Sequence, residues 1–119
     1  MNDLTKSDVT TYLDTTGKEI ATNWKWRQTG GLKICPNSMP TGHIFNVVKM
    51  IWNNKMPRSH RDSYYNPYTF GNKYPDKYLK EAIQVLSKEL MRRQPLELYQ
   101  SEWLASKATL LGQSLEFKK

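Results

Sequence analysis

Apolar positions recur at helical spacing in three stretches of the chain. Between 76 and 93, Leu79, Ala82, Ile83, Leu86 and Leu90 form one stripe of a 3.6-residue period. Pro75 and Asp76 open this helix, since proline is tolerated where the first N–H groups lack partners and an acid suits the positive end of the dipole. Arg92 and Arg93 suit the other end. From 44 to 54, Ile44, Val47, Val48 and Ile51 repeat the pattern, with Phe45 and Trp52 widening it. So broad a face predicts a central helix, whose β-branched residues are stabilised by burial. Ser38 or Thr41 can cap it, and Asn53, Asn54 and then Pro57 end it. A last helix is predicted over 96–112, with Leu96, Tyr99, Trp103, Leu104, Ala108 and Leu111 facing inward.

The N-terminal part changes period. Trp24 and Trp26 alternate with Lys25 and Arg27, which suits a half-buried strand, and Leu32 to Cys35 returns after the turn Thr29-Gly30-Gly31. Val9 to Thr22 reads as a looser hairpin around Asp14-Thr15-Thr16-Gly17, with a short helix from Ser7 as the competing reading. The expected architecture is α+β, with one or two N-terminal β-hairpins packed on about three α-helices. It forms a single domain over residues 1–119, with 1–8 and 113–119 as frayed tails. Residues 55–75 hold three prolines and no helical period, a connection long enough to suggest function.

Composition sharpens this picture. At 38% the apolar fraction is low, and four Trp, seven Tyr and three Phe compensate, so a thin aromatic core is expected. The net charge of +7 is uneven. Residues 1–20 set two lysines against four acids, whereas 21–61 carry seven cations and no acid. Such a balance points to an acidic partner, either DNA, RNA or an acidic protein face. The single cysteine, Cys35, excludes an intramolecular disulfide and suits a reducing cytosol as an inert buried thiol. The first residues lack the basic and apolar regions of a signal peptide, and no apolar run is long enough for a membrane span. A cytoplasmic location is therefore expected.

Candidate chemistry is confined to binding. Trp24, Lys25, Trp26 and Arg27 in the hairpin combine rings with cations. So do Lys55, Arg58, Arg61, Tyr64, Tyr65, Tyr68 and Lys73 after the central helix. Cations neutralise phosphates while rings stack on bases, and Tyr, Trp and Arg also anchor protein interfaces. The plainer alternative is that the rings fill the core and the cations are solvated. His43 and Asn46 share a helix face, but a catalytic or metal-binding role needs partners that only the distant His60 could begin to supply. His43 is better read as bonding the preceding hairpin. Glu89 with Arg93, and Glu97 with Glu102, read as solvated helix faces. No cofactor, metal or catalytic residue is expected.

Trp26, Gly31, Ile34, Met39, His43, Ile44 and Asn46 form W-x4-G-x2-I-x4-M-x3-H-I-x-N. This resembles a pattern near the start of small phage and prophage proteins of uncharacterised function, and it covers residues 26–46. The resemblance implies that Met39, His43 and Asn46 clasp the helix entry, and that the chain is phage-encoded. Phage accessory proteins of this size are often stoichiometric inhibitors of host machinery, anti-CRISPR proteins among them, or small nucleic-acid-binding factors. The leading expectation is thus a non-enzymatic factor docking on an acidic host protein or nucleoprotein, in the host cytoplasm. Alternatives are a direct DNA- or RNA-binding protein in phage replication or transcription, and a small His-dependent enzyme using His43.

Overall fold

A computed structural model describes residues 10–13, 18–93, 95–113 and 115–117. The fold is α+β. Strands β1 (Thr10–Leu13) and β2 (Glu19–Thr22) pair antiparallel from Thr10↔Thr22 to Leu13↔Glu19. Their predicted turn at 14–17 lies outside the described residues. Strands β3 (Trp26–Arg27) and β4 (Lys33–Ile34) form the second hairpin. Gly31 takes a φ of 93° in its turn, a conformation nearly free of cost for glycine alone. The Gly31 N–H donates to the Gln28 carbonyl at 2.8 Å, and the Gln28 N–H donates to the Leu32 carbonyl at 2.8 Å.

Three helices follow: α1 (Thr41–Lys55), α2 (Asp76–Arg92) and α3 (Leu98–Leu111). The stripe read for α2 is its core face, with Leu79, Ala82, Ile83, Leu86 and Leu90 all at 0% exposure. In α1, Ile44, Val48 and Ile51 are equally buried. The element on which the others assemble is nevertheless α2, because α1, α3, β1 and a 3-10 turn at Pro36–Ser38 all pack on it.

Several local expectations are corrected. Neither Ser38 nor Thr41 caps α1. The cap position is Pro40, and Ser38 belongs to the 3-10 turn. The Thr41 hydroxyl instead accepts from Arg93 Nη1 at 3.0 Å. Arg93 also donates to the carbonyls of Met39 (2.7 Å) and Pro36 (3.0 Å), so it is the clasp on the α1 entry. Met39 is buried, whereas Asn46 is exposed and the His43 imidazole makes no hydrogen bond to the described hairpin.

Glu89 is not solvated. It is at 0% exposure, 2.6 Å from Arg92 and 2.8 Å from Arg93. A buried carboxylate persists only when paired, and the two arginines supply that pairing while Arg93 reaches on to the chain before α1. The Glu89 hydrogen bonds hold the Arg92 guanidinium above its ordinary pKa.

Helix α3 starts two residues later than read, at a capping box in which the Glu97 N–H donates to Gln100 Oε1 at 3.1 Å. Its buried residues are Gln100, Leu104 and Leu111, and Trp103 packs on the core as read, as does Leu96 just before the helix, while Tyr99 is 61% exposed and Ala108 is exposed. The stretch read as a frayed tail contributes Leu115 and Phe117 to the core, with Lys80 Nζ 5.5 Å from the Phe117 ring.

Candidate binding surface

The two aromatic-basic stretches occupy different environments. In the hairpin, Trp26 is buried at 5% exposure and stacks with Tyr78 at 5.9 Å. Trp24 stacks on the same ring at 5.3 Å, and its indole N–H is buried without a hydrogen-bond partner. The Tyr78 hydroxyl donates to the Lys25 carbonyl at 2.8 Å and accepts from the Arg27 N–H at 2.7 Å. Burial pushes the Tyr78 phenol above its ordinary pKa. The Tyr74 hydroxyl donates to the Arg27 carbonyl at 2.8 Å. The Arg27 guanidinium lies 4.6 Å over the Tyr78 ring and donates to the Lys73 carbonyl. Trp24, Trp26 and Arg27 therefore close one end of the core. Lys73 is exposed beside them.

After α1 the chain is held by side chains instead of rings. Trp52 Nε1–H donates to the His60 carbonyl at 2.6 Å, and Arg61 Nε donates to the Met56 carbonyl at 2.7 Å. Asn53 and Asp62 bond twice, through Asn53 Nδ2 to Asp62 Oδ2 (2.9 Å) and the Asp62 N–H to Asn53 Oδ1 (2.8 Å). Trp103 Nε1 and Lys107 Nζ reach the same carboxylate from α3 at 2.9 and 3.1 Å. Burial pushes the Asp62 carboxyl up, but these bonds and the Lys107 charge outweigh it and leave it below the ordinary value. Further along, the Asn54 amide accepts from the Tyr68 N–H at 2.8 Å and donates to the Asn66 carbonyl at 3.4 Å.

What this scaffold displays is aromatic. Tyr64 is 94% exposed, Tyr68 48% and Tyr65 36%. Between them and α1 lies a cleft of about 800 Å³, to which Asn46, Lys49 and Met50 contribute from the helix. Met50 and Tyr68 also line a neighbouring cavity of about 330 Å³ that reaches His43, Trp26, Phe70 and Tyr74.

Of the residues singled out in the sequence, Tyr64, Tyr65 and Tyr68 meet at this cleft. Arg58 is exposed on the preceding 3-10 turn, at Arg58–His60. Lys55 is turned to Asp76 at 2.8 Å, and Arg61 is occupied by the Met56 carbonyl and the Tyr65 hydroxyl. Sequence reasoning missed Lys49, Asn53, Asn54 and Asp62 as parts of the site, and gave Asn46 to the helix entry rather than to the cleft. One signal was present: Asp62 is the first acid after Glu19, and a lone acid among cations marks an internal tether.

Among the described residues, no group of three or more His, Cys, Asp or Glu side chains could hold a metal ion, and no helix is long and apolar enough to cross a membrane. Comparison with protein-family models, curated proteins and solved structures finds no match to this chain.

Proposed function

We propose that this chain is a non-enzymatic binding protein that docks through the Tyr64–Tyr68 face on an acidic surface of a partner protein or nucleoprotein complex. One observation carries the reading: residues 56–68 are pinned by Trp52, Asn53, Asn54, Trp103 and Lys107, and yet Tyr64 is left 94% exposed. Rings held in water lose the gain of burial, and a loop fixed in place has already met the ordering cost of association. Tyrosine with asparagine is also the composition of adaptable binding loops, rigid rings giving area and amides giving hydrogen bonds. Exposed Arg58, with Lys49 in the cleft and no acid among the described cleft residues, favours an acidic partner. His43, the imidazole of the neighbouring cavity, has no hydrogen bond among the described residues to orient it as a base. Phage origin and inhibition of a host defence complex rest on the resemblance over residues 26–46 alone.

Affinity capture from bacterial lysate tests the proposal, comparing the protein with a Tyr64→Ala/Arg58→Glu variant of equal melting temperature. At least one protein should be retained by the parent and lost from the variant, and identical captured sets would remove the reading. Fluorescence anisotropy with DNA and RNA at about 50 and 200 mM salt adds a second arm, since six or more phosphate contacts would cost about a thousandfold over that range. Tight, salt-steep binding would replace the proposal with direct nucleic-acid recognition.

A further inference from the structure

We infer that the groove along α1 takes an extended acidic peptide segment of the partner, with a large apolar side chain seated in its smaller cavity. This identifies the occupant of the docking face and rests on that reading. The 330 and 800 Å³ concavities share Met50 and Tyr68, so one extended chain can cross both. The smaller has Trp26, Val47, Phe70 and Tyr74 in one part of its wall and Gln28, Thr29 and His43 in another, at the lower end of ordinary ligand-pocket size. Interfaces concentrate their affinity where one anchor side chain fills a pocket and excludes water from it, and the rings of this wall supply the contact for such an anchor.

The larger concavity offers amides. Asn53 and Asn54 are already bonded to residues 62–68, but Asn46 is exposed and its side-chain amide has no hydrogen bond among the described residues. An amide presents donors and an acceptor together, which matches the alternating groups of an extended backbone. Lys49 is the cation among the described residues lining the two concavities, and no carboxylate lines either, so the complementary segment is acidic. The same census disfavours nucleic acid. A single strand needs a track of cations for successive phosphates, and here Arg27, Lys55 and Arg61 are turned to internal partners.

Panning short random displayed peptides against the immobilised full chain tests this. Enriched sequences should combine Trp, Phe or Leu with neighbouring Asp or Glu. The best of them, synthesised with a fluorescent label, should lose at least about tenfold in affinity to Met50→Trp, which blocks the passage between the concavities. Panning against Lys49→Glu should lose the acidic preference. Both positions are partly exposed, so the variants keep the fold, and thermal melts verify that. No consensus, or a peptide indifferent to both substitutions, overturns the inference. So does oligothymidylate binding that Met50→Trp abolishes, which would assign the groove to nucleic acid. Loss of the peptide result with Tyr64-dependent capture intact would remove this inference and leave the docking reading standing.

Discussion

Trp26 in the β3–β4 hairpin is 5% exposed and Tyr64 after α1 is 94% exposed, although each sits where rings and cations alternate in the chain. The difference lies in what the neighbouring element brings. The hairpin meets Tyr78, which stacks on both indoles, and Tyr74, tilted against Trp26, and the two hydroxyls satisfy its backbone. The segment after α1 meets amides, an indole N–H and a lysine, which satisfy its polar groups and cover none of its Tyr64 ring. Alternation of rings with cations therefore does not say which face becomes a surface. The chemistry of the opposing helix decides it, apolar rings drawing the hairpin inward and polar side chains fixing the loop with its rings outward.

The contrast is broken hardest at Trp26. Trp26→Ala should cost about 3–5 kcal/mol, since it opens a cavity between the hairpin, Tyr74 and Tyr78. Urea unfolding measures it, and a loss under about 1 kcal/mol would make the hairpin peripheral to the core.

Next comes the tether. Asp62→Ala leaves the Asn53 amide, the Trp103 N–H and the Lys107 ammonium without their shared acceptor, at a cost of about 1–3 kcal/mol. Partner capture should fall with it, because the rings lose their fixed placement. A matching pH dependence follows. The carboxyl is held below its ordinary value of 3.8 in the folded chain, so the unfolded chain takes up its proton first. That stability is present above the unfolded value and is lost as pH falls through the folded one. Asp62→Asn should therefore flatten the decline of unfolding free energy between about pH 5 and pH 3, and an unchanged slope would assign the acid sensitivity to other carboxylates.

What the sequence disclosed and what it hid follow the same division. The α2 stripe was legible because spacing of apolar residues records burial directly, and all five stripe residues are fully buried. Glu89 was not, because a charge on an amphipathic helix is ordinarily solvated and its burial depends on Arg93 reaching across to Met39 and Pro36. The inner face of α3 was legible at Trp103, Leu104 and Leu111 but not at Tyr99 and Ala108, and its start was missed because a capping box led by Glu97 is harder to see than one led by serine. The candidate site was legible in its rings and hidden in its supports. Asp62 is tied to Trp103 and Lys107, which lie 41 and 45 residues further along the chain. No local pattern reports such a contact.

The finest test removes the same atom from both regions. Tyr78→Phe deletes a hydroxyl that bonds the hairpin twice, leaving the Lys25 carbonyl and the Arg27 N–H without that partner, and should cost about 1–2 kcal/mol. Tyr64→Phe deletes a hydroxyl in open solvent, where surface substitutions stay within about 0.5 kcal/mol. Paired urea denaturations read both. Equal costs would mean that Tyr64 is held by contacts the docking reading does not include, and its exposure would no longer argue for a partner. Unequal costs with partner capture retained by Tyr64→Phe would place the docking energy in the ring rather than the hydroxyl, as burial of an aromatic face requires.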